Sequence, residues 1–199
     1  MDLGPVLEPV RDADQVFNIL MVCTGNICRS PGAERLLALE LSERDLSDDL
    51  RIKIRSAGVR GWDAAPMDEP AALALERLGG VAAGFTSRRL AEAMLDSANL
   101  ILTATKEHRS EVVELNPRAL RKTFTMKEFA QLIARDQKQY RSARELVTAA
   151  YQHRGGADLS DYDIADPYGG TDVQHSVAMD EIHRCMKVIA ERLATISRA

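Results

Sequence analysis

Nine consecutive residues, Cys23-Thr24-Gly25-Asn26-Ile27-Cys28-Arg29-Ser30-Pro31, bring a thiol, a guanidinium and a hydroxyl together in one short stretch. A thiolate is a strong nucleophile, and helix N-termini with cationic neighbours lower a thiol pKa. The Arg29 guanidinium can grip two oxygens of a phosphate-like anion with its planar fork, which a lysine cannot do. The backbone N–H groups of Thr24, Gly25, Asn26, Ile27 and Cys28 can point inward as a cradle for the same anion. Ser30 can donate a hydrogen bond to the Cys23 thiolate. Gly25 and Asn26 tolerate the left-handed backbone that an inward-curling loop requires, and the Asn26 amide can brace it. The chemistry that such a set supports is attack of sulfur on a bound phosphoryl group.

These residues need a scaffold that places them at one point. The apolar run Val16 to Val22 reads as a buried strand, and Pro31 suits the first turn of a helix. The motif therefore lies between a strand end and a helix N-terminus, where partial positive charge favours an anion. Downstream, Arg51 to Arg55 alternates as a strand, and Asp68 can cap a helix carrying Ala71, Ala74, Leu75 and Leu78 that Gly79 stops. Leu90, Met94 and Leu95 mark another helix, Leu100 to Leu102 a buried strand, Thr105 to Leu115 a helix, and Arg121 to Thr125 a last strand. Thr171 and Gln174 form a capping box for a long helix bearing Val173, Val177, Ile182, Ile189 and Leu193. Alternating strands and helices argue a parallel sheet covered on both faces, with sites beyond the strands' carboxyl ends.

Composition is that of one globular domain: 199 residues, 45% hydrophobic and 28% charged, with a net charge of −4. That charge gives no reason to expect nucleic acid as a partner. Residues 1–15 hold no apolar core of a signal peptide and read as a flexible tail before a single domain at 16–199, with no membrane contact. Three cysteines make no disulfide framework, and a cytoplasmic location is expected.

The motif from Cys23 to Pro31 resembles the signature of the low-molecular-weight protein-tyrosine phosphatase family. Asp166-Pro167-Tyr168 resembles that family's second mark, and Ser56-Ala57-Gly58 and Trp62 also fit it. The resemblance implies a doubly wound α/β fold with a four-stranded parallel sheet flanked by helices on both faces. It implies a phosphomonoester hydrolase acting on a phosphorylated protein substrate, with inorganic phosphate or a similar oxyanion able to occupy the loop. Cys23 would be the nucleophile that becomes a cysteinyl phosphate, Arg29 would hold the phosphoryl oxygens, and Asp166 would be the general acid. Trp62 and Tyr168 would wall the pocket around a phosphotyrosine ring. No cofactor and no metal is expected, since His108, His153, His175 and His183 show no ligand spacing.

Three alternatives stay open. Relatives that hydrolyse phosphoarginine tend to carry threonine at the position of Ile27, and Gly169-Gly170 resembles them. Ile27 itself favours an aromatic ester. Arsenate reductases of the same fold need relay cysteines, and beyond the loop there is only Cys185. A non-catalytic phosphate-binding module is the third. Some family members brace the loop asparagine with a histidine where this chain has Phe85.

The stretch from about 125 to 162 reads as a helical insertion, with a Thr125–Glu128 capping box and a second helix around Ala143 to Ala150. From Arg118 to Arg144 there are eight Lys or Arg and two acids, a charge run that usually solvates a helix face. Cys23 and Cys28, five residues apart on one loop, are candidates for a reversible disulfide.

Overall fold

The apolar run before the motif forms a strand, β1 (Val16–Cys23), and the residues after it form a helix, α1 (Arg29–Ser42). The computed structural model describes residues 16–46, 50–61, 64–156 and 161–196. The tail expected at 1–15 and the pocket wall expected at Trp62 lie outside the described residues. After α1 come β2 (Arg51–Gly58), α2 (Glu69–Arg77), α3 (Glu92–Ser97), β3 (Leu100–Thr103) and α4 (Lys106–Leu115). A 3₁₀ turn at Pro117–Lys122 leads to β4 (Thr123–Thr125), followed by α5 (Met126–Arg135), α6 (Ala143–Gln152) and α7 (Asp172–Ala194).

The four strands pair in parallel in the order β2-β1-β3-β4, so β1, which ends on Cys23, is interior. Alternation along the strands divides the core. Ile19 and Met21 of β1 and Leu100 and Leu102 of β3 face one side, with apolar residues of α1, α2, α5, α6 and α7. Leu20, Val22 and Ile101 face the other, with Leu95 of α3 and Val112 of α4. Helices on both faces are what a parallel sheet of short apolar strands requires. Each fully buried leucine, such as Leu36, Leu37 or Leu75, contributes roughly 2 kcal/mol of transfer free energy. Among the described residues no helix is long and apolar enough to cross a membrane.

Local signals decided several boundaries. Capping boxes start α5 at Thr125 and Glu128 and α7 at Thr171 and Gln174. Elsewhere the expectation needs correction. The last strand begins at Thr123, because Arg121 and Lys122 belong to a 3₁₀ turn capped by Asn116. Val173 and Val177 are 70% and 54% exposed, and α7 instead buries Ala178, Met179, Ile182, Cys185, Met186, Ile189 and Leu193. Asp68 occupies the N-cap of α2 but makes no side-chain capping bond.

The stretch 125–162 carries α5 and α6, and its attachment is electrostatic as well as apolar. Glu128, fully buried, accepts hydrogen bonds from Arg109 Nη1 of α4 (3.1 Å) and from Arg154 Nε beyond α6 (2.8 Å). The Arg154 guanidinium also lies 4.4 Å from the Phe124 ring centroid. Two residues of the basic run are spent on internal partners: Lys122 Nζ donates to the Asp96 and Ala98 carbonyls, and Lys127 pairs with Asp161 and Glu181.

Candidate active site

Cys23 closes β1, only 2% exposed, and the chain then curls through Thr24 to Cys28 before α1 begins at Arg29. The end of β2 seats this curl. Val59 N donates to the Cys23 carbonyl and Arg60 N to the Thr24 carbonyl, both at 2.9 Å. A Cβ on Gly58 would sit 2.4 Å from the Thr24 carbonyl oxygen, so glycine is what allows the approach.

Asn26 is the turning point. It adopts φ 57°, fully buried, while Gly25 does not take the left-handed conformation that its type permits. The Asn26 amide makes the left-handed geometry worthwhile: Nδ2 donates to Ser30 Oγ and Ser56 Oγ at 2.9 Å, and Oδ1 accepts from Arg88 N at 2.8 Å. Phe85, at the place where some family members carry a histidine brace, is buried beneath the Arg35 guanidinium. Ser56 and Arg88 do that work here. Ser30 Oγ lies 2.9 Å from Cys23 Sγ, the distance expected of a hydroxyl positioned on a nucleophilic sulfur.

Arg29 is 3% exposed, and its guanidinium is largely engaged. Nη2 pairs with Asp166 Oδ2 at 2.6 Å and donates to Thr24 Oγ1 at 3.2 Å, and Nη1 donates to the Ile164 carbonyl at 3.2 Å. Nε is buried without a hydrogen-bond partner. Asp166 reaches this point because its segment is anchored just upstream. Ile164 N bonds the Ala104 carbonyl at the end of β3, and Asp163 Oδ1 accepts from Lys106 N. Beyond the anchor the chain turns through Gly169, at φ +72°, into α7.

Together Cys23, Thr24, Gly25, Ile27, Cys28, Arg29, Arg60, Asp166 and Tyr168 line a pocket of about 180 Å³. Eight of these nine were anticipated from sequence; Arg60 was not. It follows Gly58 and Val59 at the lip, its guanidinium 3.3 Å from Glu111. His108 was also missed. Its Nε2 is 2.9 Å from Thr24 Oγ1 and its Nδ1 2.7 Å from Thr105 Oγ1, so it braces the residue that braces Arg29. Burial, with the Arg29 charge adding, lowers its pKa to about 4 and keeps the imidazole neutral. Thr105 at the cap of α4, three residues ahead of His108, is the local signal that could have drawn attention to it.

The cysteines divide by surroundings. Cys28 is buried at the end of the loop, and burial raises its pKa, with the charges of Asp68, Cys23 and Asp166 adding. Cys185 is buried on α7, its pKa pushed up to about 11 by burial, and lines a different pocket with Lys127, Asp161 and Glu181. All three are free thiols.

A family model described as low molecular weight phosphotyrosine protein phosphatase matches residues 18–141. A protein-arginine-phosphatase of Geobacillus stearothermophilus is 31% identical over 179 residues, covering 90% of this chain and 97% of its own. The low molecular weight protein-tyrosine-phosphatase Etp of Escherichia coli K12 is 40% identical over 108 residues, 54% of this chain and 68% of that one. Among solved structures, the tyrosine phosphatase Wzb of Escherichia coli K30 in complex with sulphate superposes with a TM-score of 0.66 at 25% identity, covering 88% of this chain and 97% of that one.

Proposed function

Because the chain belongs to the low molecular weight phosphotyrosine protein phosphatase family, we propose that it hydrolyses phosphotyrosine on proteins through a phosphorylated Cys23. The observation that carries the reading is the meeting of Cys23, whose Sγ lies against Ser30 Oγ, with Arg29 and Asp166 in one pocket. The unpartnered Nε of buried Arg29 supports an oxyanion as its missing acceptor, as does the sulphate in the complex of the Wzb relative.

In the first step Cys23 sulfur attacks phosphorus in line, the S–P bond forms and the P–O bond to the tyrosine breaks. Asp166, turned away from Arg29, gives its proton to the departing phenolic oxygen. In the second step water attacks the phosphocysteine. Asp166 as carboxylate takes the water proton, and phosphate leaves as the thiolate returns. Arg29 and the amides from Thr24 to Cys28 hold the nonbridging oxygens throughout, and such preorganised charge complementarity does most of the work in phosphoryl transfer. Ile27 and Tyr168 supply apolar walls for a ring, and Trp62 is assigned the same role. Residues 16–199 act as a single phosphatase domain with an added helical segment at about 125–162. The free thiols suit a reducing compartment such as the cytoplasm.

A second reading, phosphoarginine on proteins, is favoured by one observation: the relative matched over 97% of its length is a protein-arginine-phosphatase. The test is hydrolysis of phosphotyrosine and phosphoarginine peptides side by side, in chelator, with Cys23→Ser as control. Preference for the phosphotyrosine peptide, abolished in the variant, is expected. Preference for phosphoarginine would transfer the conclusion to the second reading. Absence of turnover on both would leave a phosphate-binding module.

A further inference from the structure

Beside the nucleophile, three side chains converge from three elements. Cys28 comes from the loop, Asp68 from the N-cap of α2 and His175 from the first turn of α7. Their ligand atoms all lie within 4.8 Å of one another. His175 is 1% exposed and Cys28 4%, while the Asp68 side chain keeps 22% exposure. Two polar atoms of this cluster, His175 Nδ1 and Asp68 Oδ1, are buried without hydrogen-bond partners. His175 Nε2 stands 3.7 Å from Asp68 Oδ1, too far for a hydrogen bond. Buried polar groups are normally satisfied, and an orphaned carboxylate oxygen beside a buried imidazole with an orphaned nitrogen calls for a partner.

We propose that Cys28, Asp68 and His175 form a Zn²⁺ site that uses the second thiol of the phosphate-binding loop and not the nucleophile. Thiolate, imidazole and carboxylate are together the donor set of zinc, whereas magnesium and calcium take oxygen alone. One thiolate and one carboxylate balance the dication, so the buried site carries no net charge. Bond lengths of about 2.0–2.3 Å in a tetrahedron put ligand atoms roughly 3.3–3.6 Å apart. The Asp68–His175 pair is already close to that spacing, and the partly exposed Asp68 gives the ion a way in. With three protein ligands the fourth position is left to water. A bound ion would tie the loop to both α2 and α7. It would also withhold the Cys28 sulfur from Cys23, so that metal and oxidation compete for one thiol. Sequence spacing hid this set because residues 28, 68 and 175 meet only through the fold.

The test is titration of the chelator-stripped full chain with Co²⁺ and then Zn²⁺, read by absorbance. One equivalent of Co²⁺ is expected to give tetrahedral d–d bands with a thiolate charge-transfer band, and Zn²⁺ should displace it. Cys23→Ser should retain the spectrum and Cys28→Ser should lose the charge-transfer band. Asp68→Asn and His175→Phe should each weaken binding by about tenfold or more, since even an outer-sphere partner is worth that. Thermal melts show that each variant is folded, and Asp68→Asn, with no hydrogen bond to lose at Oδ1, serves if His175→Phe does not fold. The proposal is overturned by absence of a cobalt spectrum, by one that disappears in Cys23→Ser, or by one that survives both Asp68→Asn and Cys28→Ser.

Discussion

Cys23, Asn26, Arg29 and Ser30 are each 3% exposed or less, with Ser30 hydrogen-bonded to both Cys23 and Asn26, whereas Asp166 and Tyr168 show 49% side-chain and 59% residue exposure on a turn. The first group is inherited from an interior strand and the opening turn of a helix. The second hangs beyond an anchor at Ile164. An anion cradle works best when its dipoles are fixed before the substrate arrives. A proton donor paired to Arg29 at rest has to leave that pair and reach a departing oxygen. The structure thus puts stiffness where charge is held and freedom where a proton is carried.

The largest effect that separates the halves is expected from Asp166→Asn. Turnover should fall by about a hundredfold to ten-thousandfold, the usual worth of a positioned acid or base. Inhibition by phosphate or vanadate should hold or tighten, because a competitor for Arg29 has been weakened. Oxyanion affinity that falls along with turnover would mean that the carboxylate belongs to the cradle and the contrast is misplaced.

Asn26→Ala probes the stiff half. It removes the hydrogen bonds to Ser30 and Ser56, takes the acceptor from the Arg88 N–H and leaves alanine at φ 57°, so a loss of about 3–5 kcal/mol in denaturant unfolding is expected. A loss under about 1 kcal/mol would show that the loop does not depend on this residue.

The smallest effect is a pH dependence. His108 binds its proton near 6.5 when unfolded and only near 4 when folded, so acid favours the unfolded chain. Its contribution is intact above pH 6.5 and declines as pH falls toward 4, reaching a loss of about 2 kcal/mol by pH 5. Stability measured from pH 7 to 5 should fall more steeply in the wild type than in His108→Gln. Parallel curves would remove His108 from the stiff half.

The same division explains what could be read from the chain beforehand. The loop was legible because its chemistry is contiguous and its strand and helix flank it directly. The capping boxes at Thr125 and Thr171 were legible for the same reason. His108, Arg60 and the Asp68–His175 pair were not, since each acquires its partners from a different element. Asp68 has the right type for a helix cap, yet its carboxyl is directed toward His175 instead. Val173 and Val177 fit a helical repeat, but periodicity cannot say which stripe of α7 meets α1, α2 and α5. Solvent took that one.

The position of β1 inside the sheet has a consequence in time. Its Leu20 pairs with Arg55 on one side and Ile101 on the other, and α1 packs against α7, whose residues come last in the chain. Contacts of such long sequence separation form slowly, because the intervening loops must close first. A growing chain therefore carries Cys23 as an ordinary thiol for as long as its later partners are still to be made. Its cradle acquires walls only when β3 has been made, and its proton carrier only when residue 166 has followed. The nucleophile is made well before the residues that complete its site.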